Sequence, residues 1–236
     1  MVKYLFTFLI IIIFEEAITQ FEFENQIFQK IYTEEIVDTI HGINIYEPLN
    51  IYLRSDSTRI EEGYAVNGWK EDHYSNGQLL HRGYYLDGQL KVYKNYYPNG
   101  NLERSFKNYE TYKSKEILNY PSGEIKRLSY YINNFAVEKI CYNVDGKIKY
   151  HEKFNKDLVS LERRIKYYDN GNKKEELILN NEKKKTYSFI EYFVQGSTKT
   201  KGQLKYDGDL NIYNKFGKWI HYKNNGKVEK KINTNL

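Results

Sequence analysis

Five histidines, two tryptophans, one cysteine and 25 tyrosines are the side chains of this 236-residue sequence whose chemistry invites a function. The histidines are His41, His73, His81, His151 and His221. None forms a His-x-His or His-Glu-x-x-His pattern, the spacings that aim two ligands at one metal. His73 and His221 each stand directly before a recurring tyrosine, and a shared position of that kind predicts a structural slot. Neighbouring carboxylates such as Glu61-Glu62 point to opposite faces of a strand and cannot share a substrate. No Gly-x-Ser-x-Gly elbow, phosphate loop or dinucleotide fingerprint occurs. Cys141, between Ile140 and Tyr142, reads as a small half-buried hydrophobe, and a single cysteine rules out an intrachain disulfide. These residues predict no catalytic set, no cofactor and no metal.

The aromatic side chains offer different chemistry. Exposed indole and phenol rings stack on sugars or pack against a partner, and Trp69, Tyr74, Trp219 and Tyr222 are the candidate surface-binding residues. The competing reading places both tryptophans in one repeat slot as core or end-cap packing, because aromatic rings dominate small β cores. Solvent exposure decides between the two. Lysines mixed with tyrosines raise nucleic acid as a partner. Acids are interleaved throughout, however, as in Lys173-Lys174-Glu175-Glu176, and Lys183-Lys184-Lys185 follows an expected turn. Solvated strand faces and protection of sheet edges account for the lysines, so nucleic acid is not expected. The net charge is −1 over residues 1–19, −6 over 20–62 and therefore +12 over 63–236, for the total of +5.

The elements that must hold these side chains are written in the glycines. Gly77, Gly100, Gly123, Gly146, Gly171 and Gly196 recur at intervals of 23, 23, 23, 25 and 25 residues. Most close a motif of aromatic, spacer, turn former and glycine: Tyr74-Ser75-Asn76-Gly77, Tyr97-Pro98-Asn99-Gly100, Tyr120-Pro121-Ser122-Gly123, Tyr168-Asp169-Asn170-Gly171 and Phe193-Val194-Gln195-Gly196. Glycine tolerates the positive φ that hairpin reversals demand. Around Gly146 and Gly226 the tyrosine moves one place earlier, to Tyr142 and Tyr222, which predicts a turn changed by one residue. A second series, Asp87-Gly88, Asn133-Asn134, Asn155-Lys156, Asn180-Asn181 and Asp207-Gly208, falls midway between the glycine motifs. Turns every 11 or 12 residues, with β-branched and aromatic stretches between them, predict two strands per unit and an all-β chain. Pro98 and Pro121 sit inside the turns, where no ladder hydrogen bond is lost.

Each unit is too small to bury a core alone, so stacking must bury it. The expected fold is all-β: tandem antiparallel hairpins of about 23 residues forming an elongated twisted sheet or solenoid. With 12 phenylalanines beside the tyrosines, the core is expected to be largely aromatic, phenols reaching the rim of a thin sheet. Before the array, a basic start, the apolar run Leu5–Phe14 and the small pair Ala17 and Thr19 fit an export signal over 1–19, with an uncleaved anchor as the rival and the only expected membrane contact. Residues 20–48 read as a leader with a short amphipathic helix, and 49–236 as the repeat domain.

The strings Gly68-Trp69 through Tyr74 to Gly77 and Gly217-Lys218-Trp219 through Tyr222 to Gly226 resemble the MORN repeat variant of bacterial proteins, among them the YwqK family antitoxins. The resemblance runs from about Asn50 to Val228. It implies stacked antiparallel hairpins with a scaffolding or binding role. Three functions follow as expectations: a non-catalytic scaffold that binds a protein or envelope component through an exposed hairpin surface, a carbohydrate or cell-wall binding module using exposed aromatics, and an antitoxin-like partner of a toxin if the chain stays in the cytoplasm. Export, to the periplasm, cell envelope or exterior, favours the first two.

Overall fold

The computed structural model describes residues 58–110, 112–155 and 160–234, the side chain of Tyr109 excepted. All belong to the unit Pro48–Leu236. The expectations for the export segment, the leader and the opening strand near residue 50 lie outside the described residues, as does the reversal at Lys156.

A short hairpin, β1 (Ile60–Glu61) and β2 (Tyr64–Ala65), precedes fourteen strands: β3 (Gly68–His73), β4 (Leu79–Leu86), β5 (Gln89–Tyr96), β6 (Leu102–Glu110), β7 (Lys113–Asn119), β8 (Ile125–Ile132), β9 (Phe135–Tyr142), β10 (Ile148–Phe154), β11 (Leu161–Tyr167), β12 (Lys173–Asn181), β13 (Thr186–Tyr192), β14 (Thr198–Asp207), β15 (Ile212–Tyr222) and β16 (Val228–Thr234). Each pairs antiparallel with the next, so β3 to β16 form one open sheet in sequence order. At the usual strand spacing its thirteen steps add up to roughly 60 Å along the sheet. The described residues contain no helix.

Every glycine motif makes one loop. Gly100 N–H donates to Tyr97 O, and Tyr97 N–H donates to Asn101 O, closing a three-residue loop with Gly100 at φ 83°. That is a type I turn followed by a left-handed residue, a position that favours glycine. The same bond pair recurs at Tyr74, Tyr120, Asn143, Tyr168, Phe193 and Lys223. The turns at Tyr142 and Tyr222 are therefore not altered in length, contrary to the sequence expectation. Asn143 and Lys223 occupy the aromatic slot, and the two tyrosines end the preceding strands. Of the midway reversals, Asp87-Gly88 and Asn133-Asn134 are two-residue loops with both φ values positive, the form that suits strand twist. The other two described fall slightly later than expected, at Glu182–Lys185 and after Asp207, whose carboxylate accepts from the N–H groups of Asp209 and Leu210.

Three residues past each loop glycine, the pairing skips a position: Leu80, Glu103, Lys126, Lys149, Lys174, Lys199 and Glu229 have no partner in the register. A bulge at the same place in every glycine hairpin increases the right-handed twist by a repeated increment. It also keeps the two faces continuous. Asp72, His81, Asn95, Arg104, Leu118, Arg127, Cys141 and Tyr150 form one cross-strand row, and Lys166, Glu175, Glu191, Thr200, His221 and Lys230 continue it to β16. We call this side face A and the opposite side face B.

Face A carries the core. Period-two alternation is sharp in β4 from His81 onward, in β7 as far as Leu118 and in β8, where the face A residues are buried and their neighbours are not. Rings touch in series from Tyr85 through His81, Tyr93 and Phe106 to Tyr131. A second cluster at the far end joins Leu161, Leu177, Tyr187, Leu204 and Trp219. The aromatic core expected from composition is present, and the leucines of the second cluster supplement it.

Candidate functional site

The recurring tyrosine has a structural duty. Tyr74 donates its hydroxyl to Tyr96 O (2.7 Å), Tyr97 to Asn119 O (2.8 Å), Tyr120 to Tyr142 O (2.9 Å) and Tyr168 to Tyr192 O (2.8 Å). Each phenol thereby ties its own loop to the end of the strand that leads into the next. Asparagine adds a second tie: the amides of Asn99 and Asn101 donate to Pro121 O, and those of Asn170 and Asn172 to Val194 O. At Asn143 and Phe193, which have no hydroxyl, the tyrosine ladder misses a rung. Tyr97→Phe should lower the unfolding free energy by about 1 kcal/mol in urea titration, the net worth of one hydrogen bond, without changing the fold. No change would remove the ladder as a source of stability.

The four candidate surface residues divide evenly. Tyr74 is buried (9% exposed), and burial, then the nearby Glu103 charge, pushes its phenol well above the ordinary value. Trp219 is buried too, at 2% exposure, packed 5.7 Å from Phe189 with the Lys215 ammonium 4.6 Å over its ring. Neither can act as a surface binder, which corrects the sequence expectation for both. Trp69 is 55% exposed, and Tyr222 is half-buried under the Lys201 ammonium at 5.4 Å. These two lie at opposite ends of the sheet and are not brought together.

The tryptophans do not share a slot, and spacing is the reason. Trp69 stands five residues before its loop-opening Tyr74, Trp219 four before Lys223. One residue of difference turns a side chain to the other face of a strand. Trp69 therefore pairs with Tyr84 on face B, Trp219 with Ile232 on face A. The same offset separates His73, on face B, from His221, whose Nδ1 lies 3.1 Å from Thr200 Oγ1 on face A.

Sequence reasoning missed two buried polar groups on face A. In the first, Arg59 makes paired 2.8 Å bonds to Asp72 and donates to the Tyr85 hydroxyl (3.2 Å). The Tyr85 hydroxyl lies 3.0 Å from His81 Nε2 and His81 Nδ1 lies 2.7 Å from Asn95 Oδ1; with the ring protonated at Nδ1 alone, Tyr85 donates to it and it donates to Asn95. This direction of donation requires a neutral imidazole. Burial pushes the His81 pKa down to about 4, against the raising effect of the Asn95 bond. The ring is 0% exposed, which leaves a substrate no access to it. Because the folded value lies below the unfolded one, the unfolded chain binds the extra proton, and stability falls as pH drops from the unfolded range toward 4. Urea unfolding at pH 7 and pH 4 should differ by about 3 kcal/mol more in the native chain than in His81→Gln. Equal pH dependence in the two would contradict the neutral ring. In the second group Glu116 lies 2.8 Å from Arg127 and 3.6 Å from Arg104.

Over β4 to β8 face B is where side chains remain accessible. Its central row runs Arg82, Lys94, Ser105, Ile117, Leu128, Ile140, His151 and Ile165 across eight strands. From Ser105 to His151 every member is half-buried. Tyr96 and Tyr142 flank it on the glycine-loop side and Tyr130 on the other. At the β3 end the row opens into a groove of about 310 Å³ lined by Trp69, Arg82, Val92, Lys94, Tyr96, Ser105, Lys107 and Ile117, with backbone from Tyr93 and Phe106 completing it. Tyr84 meets the Trp69 indole edge-on at 5.5 Å and the Arg82 guanidinium lies 5.2 Å from its centre. Among the described residues, no cluster of His, Cys, Asp and Glu could hold a metal ion.

No family model and no curated protein matches the chain. Among solved structures, a TarM variant from S. aureus, in complex with Fondaparinux, alpha-GlcNAc-glycerol and UDP, aligns over 67% of this chain and 25% of its own, at 13% identity and TM-score 0.29. A Bacteroides fragilis protein of unknown function aligns over 71% of this chain and 93% of its own, at 11% identity and TM-score 0.15. The chain thus spans about a quarter of the length of TarM. At these scores the likeness carries no argument about activity.

Proposed function

We propose that the chain is a non-catalytic scaffold that binds a protein or envelope component along face B. The observation that carries this reading is the continuous row from Ser105 through Ile117, Leu128 and Ile140 to His151, half-buried and bordered by tyrosines. A run of apolar side chains across adjacent strands, rimmed by polar groups, is the composition of an interaction surface. Its length suits an extended partner better than a small molecule. The reading also draws on what the titratable groups on face A are doing: Asp72, His81, Glu116 and their partners are spent on one another. The expected export segment supports a partner in the envelope; a toxin partner would require retention in the cytoplasm.

Ile125 and Ile178 are exposed on face B, at 40% and 41%, so charges there should leave the sheet intact. Capture from envelope extracts with the full chain should recover a discrete partner, and Ile125→Asp with Ile178→Asp should reduce its yield at least tenfold. Recovery of the same partner at the same yield by the variant, or of none by the native chain, would refute the reading.

A further inference from the structure

The groove at the β3 end of face B has a chemistry of its own. Its wall is the exposed Trp69 indole, held by Tyr84 and Arg82, and its floor is Val92 and Ile117. Three cations surround it: Arg82, Lys94 and Lys107. Arg82 faces Glu71 at 3.4 Å, with both side chains about half exposed. Among the described residues no carboxylate comes within ion-pair distance of Lys94 or Lys107, both of which are exposed. Tyr96 and Ser105, each carrying a hydroxyl, complete the lining. The cations call for an anionic ligand, and the indole calls for an apolar ring surface to lie against it. The hydroxyls discriminate further, because each both donates and accepts. A sugar hydroxyl needs both kinds of partner, whereas a phosphodiester or a peptide carboxylate only accepts.

We propose that this groove binds a segment of an acidic polysaccharide, one pyranose face against Trp69 and the carboxylates of neighbouring sugars on Arg82, Lys94 and Lys107. The proposal rests on the reading of face B as the binding surface and names the envelope component that this end of it takes. The row that continues from Ser105 toward Ile117 and Leu128 leaves room for a chain of several sugars to run on across the strands.

The test is calorimetric titration of the full chain with hexagalacturonate, with maltohexaose, hexaglutamate and a six-nucleotide oligothymidylate as comparisons. Saturable binding of hexagalacturonate is expected, at least tenfold tighter than that of any comparison. Trp69→Ala should weaken it at least tenfold, and Lys94→Gln with Lys107→Gln should weaken it and flatten its salt dependence. Trp69 is exposed, so its variant should melt with the native chain; Lys231→Gln, far along face B, should bind as the native chain does. Hexaglutamate or oligothymidylate binding as tightly as hexagalacturonate would overturn the proposal by showing that charge alone is read. Undiminished binding by Trp69→Ala, or no binding of hexagalacturonate, would overturn it as well. The capture experiment with Ile125 and Ile178 would still judge face B separately, since both residues lie outside the groove.

Discussion

Glu116→Gln is expected to lower the unfolding free energy by about 3–5 kcal/mol, the cost of removing one partner from a buried ion pair. Glu116 is 1% exposed, and Arg104 and Arg127 are nearly as deeply buried. Burial by itself would raise the pKa of the Glu116 carboxyl. The charges of Arg127 and Arg104, with hydrogen bonds from Arg127 and Tyr131, outweigh it and hold the group below its ordinary value. Glutamine keeps the shape and removes the charge, so the loss cannot be assigned to packing. The sign of the pH effect follows. A depressed carboxyl pKa stabilises the fold above its unfolded value, and that contribution disappears as pH falls through the folded value. Urea titration at neutral pH measures the effect; a change below about 1 kcal/mol would mean that the group is far better solvated than its burial states.

Trp219→Ala is the second large effect, again about 3–5 kcal/mol, because a buried indole leaves a cavity that its neighbours only partly fill. The opposing residue sharpens the test. A Cβ placed on Gly202 would stand 2.3 Å from Trp219 Cδ2 and 2.4 Å from Cε2, so glycine is required there by close approach of the ring. Gly202→Ala should therefore be destabilising with Trp219 present and much less so in Trp219→Ala. The double-mutant cycle should return a coupling of about 1–3 kcal/mol. Additive effects would place the ring elsewhere. Trp69→Ala should change stability by no more than about 0.5 kcal/mol, as for an ordinary surface site.

Those two tryptophans mark where the sequence was legible and where it was not. The glycine motifs located all seven three-residue loops, though not the Glu62–Gly63 reversal between β1 and β2, because positive φ leaves a chemical signature that few residues other than glycine tolerate. Strand class followed from turn frequency. The faces were harder, since assigning them needs register, and a one-residue error reverses every side chain. The signal for Trp69 and Trp219 was present in their distances to the next glycine, eight residues against seven, but it decides the faces only once both loops are known to have the same length. The missing aromatic at Asn143 and Lys223 was read as a changed turn because tyrosine stood next to the slot. Nothing local in sequence announced the Arg59–Asp72–Tyr85–His81–Asn95 chain or the Arg104–Glu116–Arg127 group. Their members come from several segments of the chain, and only the pairing across the sheet makes most of them neighbours. The face B groove was invisible for the same reason: Trp69, Lys94 and Lys107 belong to three strands.

The chain divides into residues that build and residues proposed to bind. Tyrosine, asparagine and glycine at the loops hold hairpin to hairpin, face A supplies the core, and face B carries the proposed binding surface. Site-specific photocrosslinking in living cells tests that division most directly, with a photoreactive phenylalanine analogue at Ile125 and Ile178 on face B and at the exposed Tyr112 and Leu210 along the opposite, reversal edge. Discrete adducts should form from Ile125 and Ile178 and be absent from Tyr112 and Leu210. Adducts confined to the reversal edge, or none from any of the four positions, would contradict it.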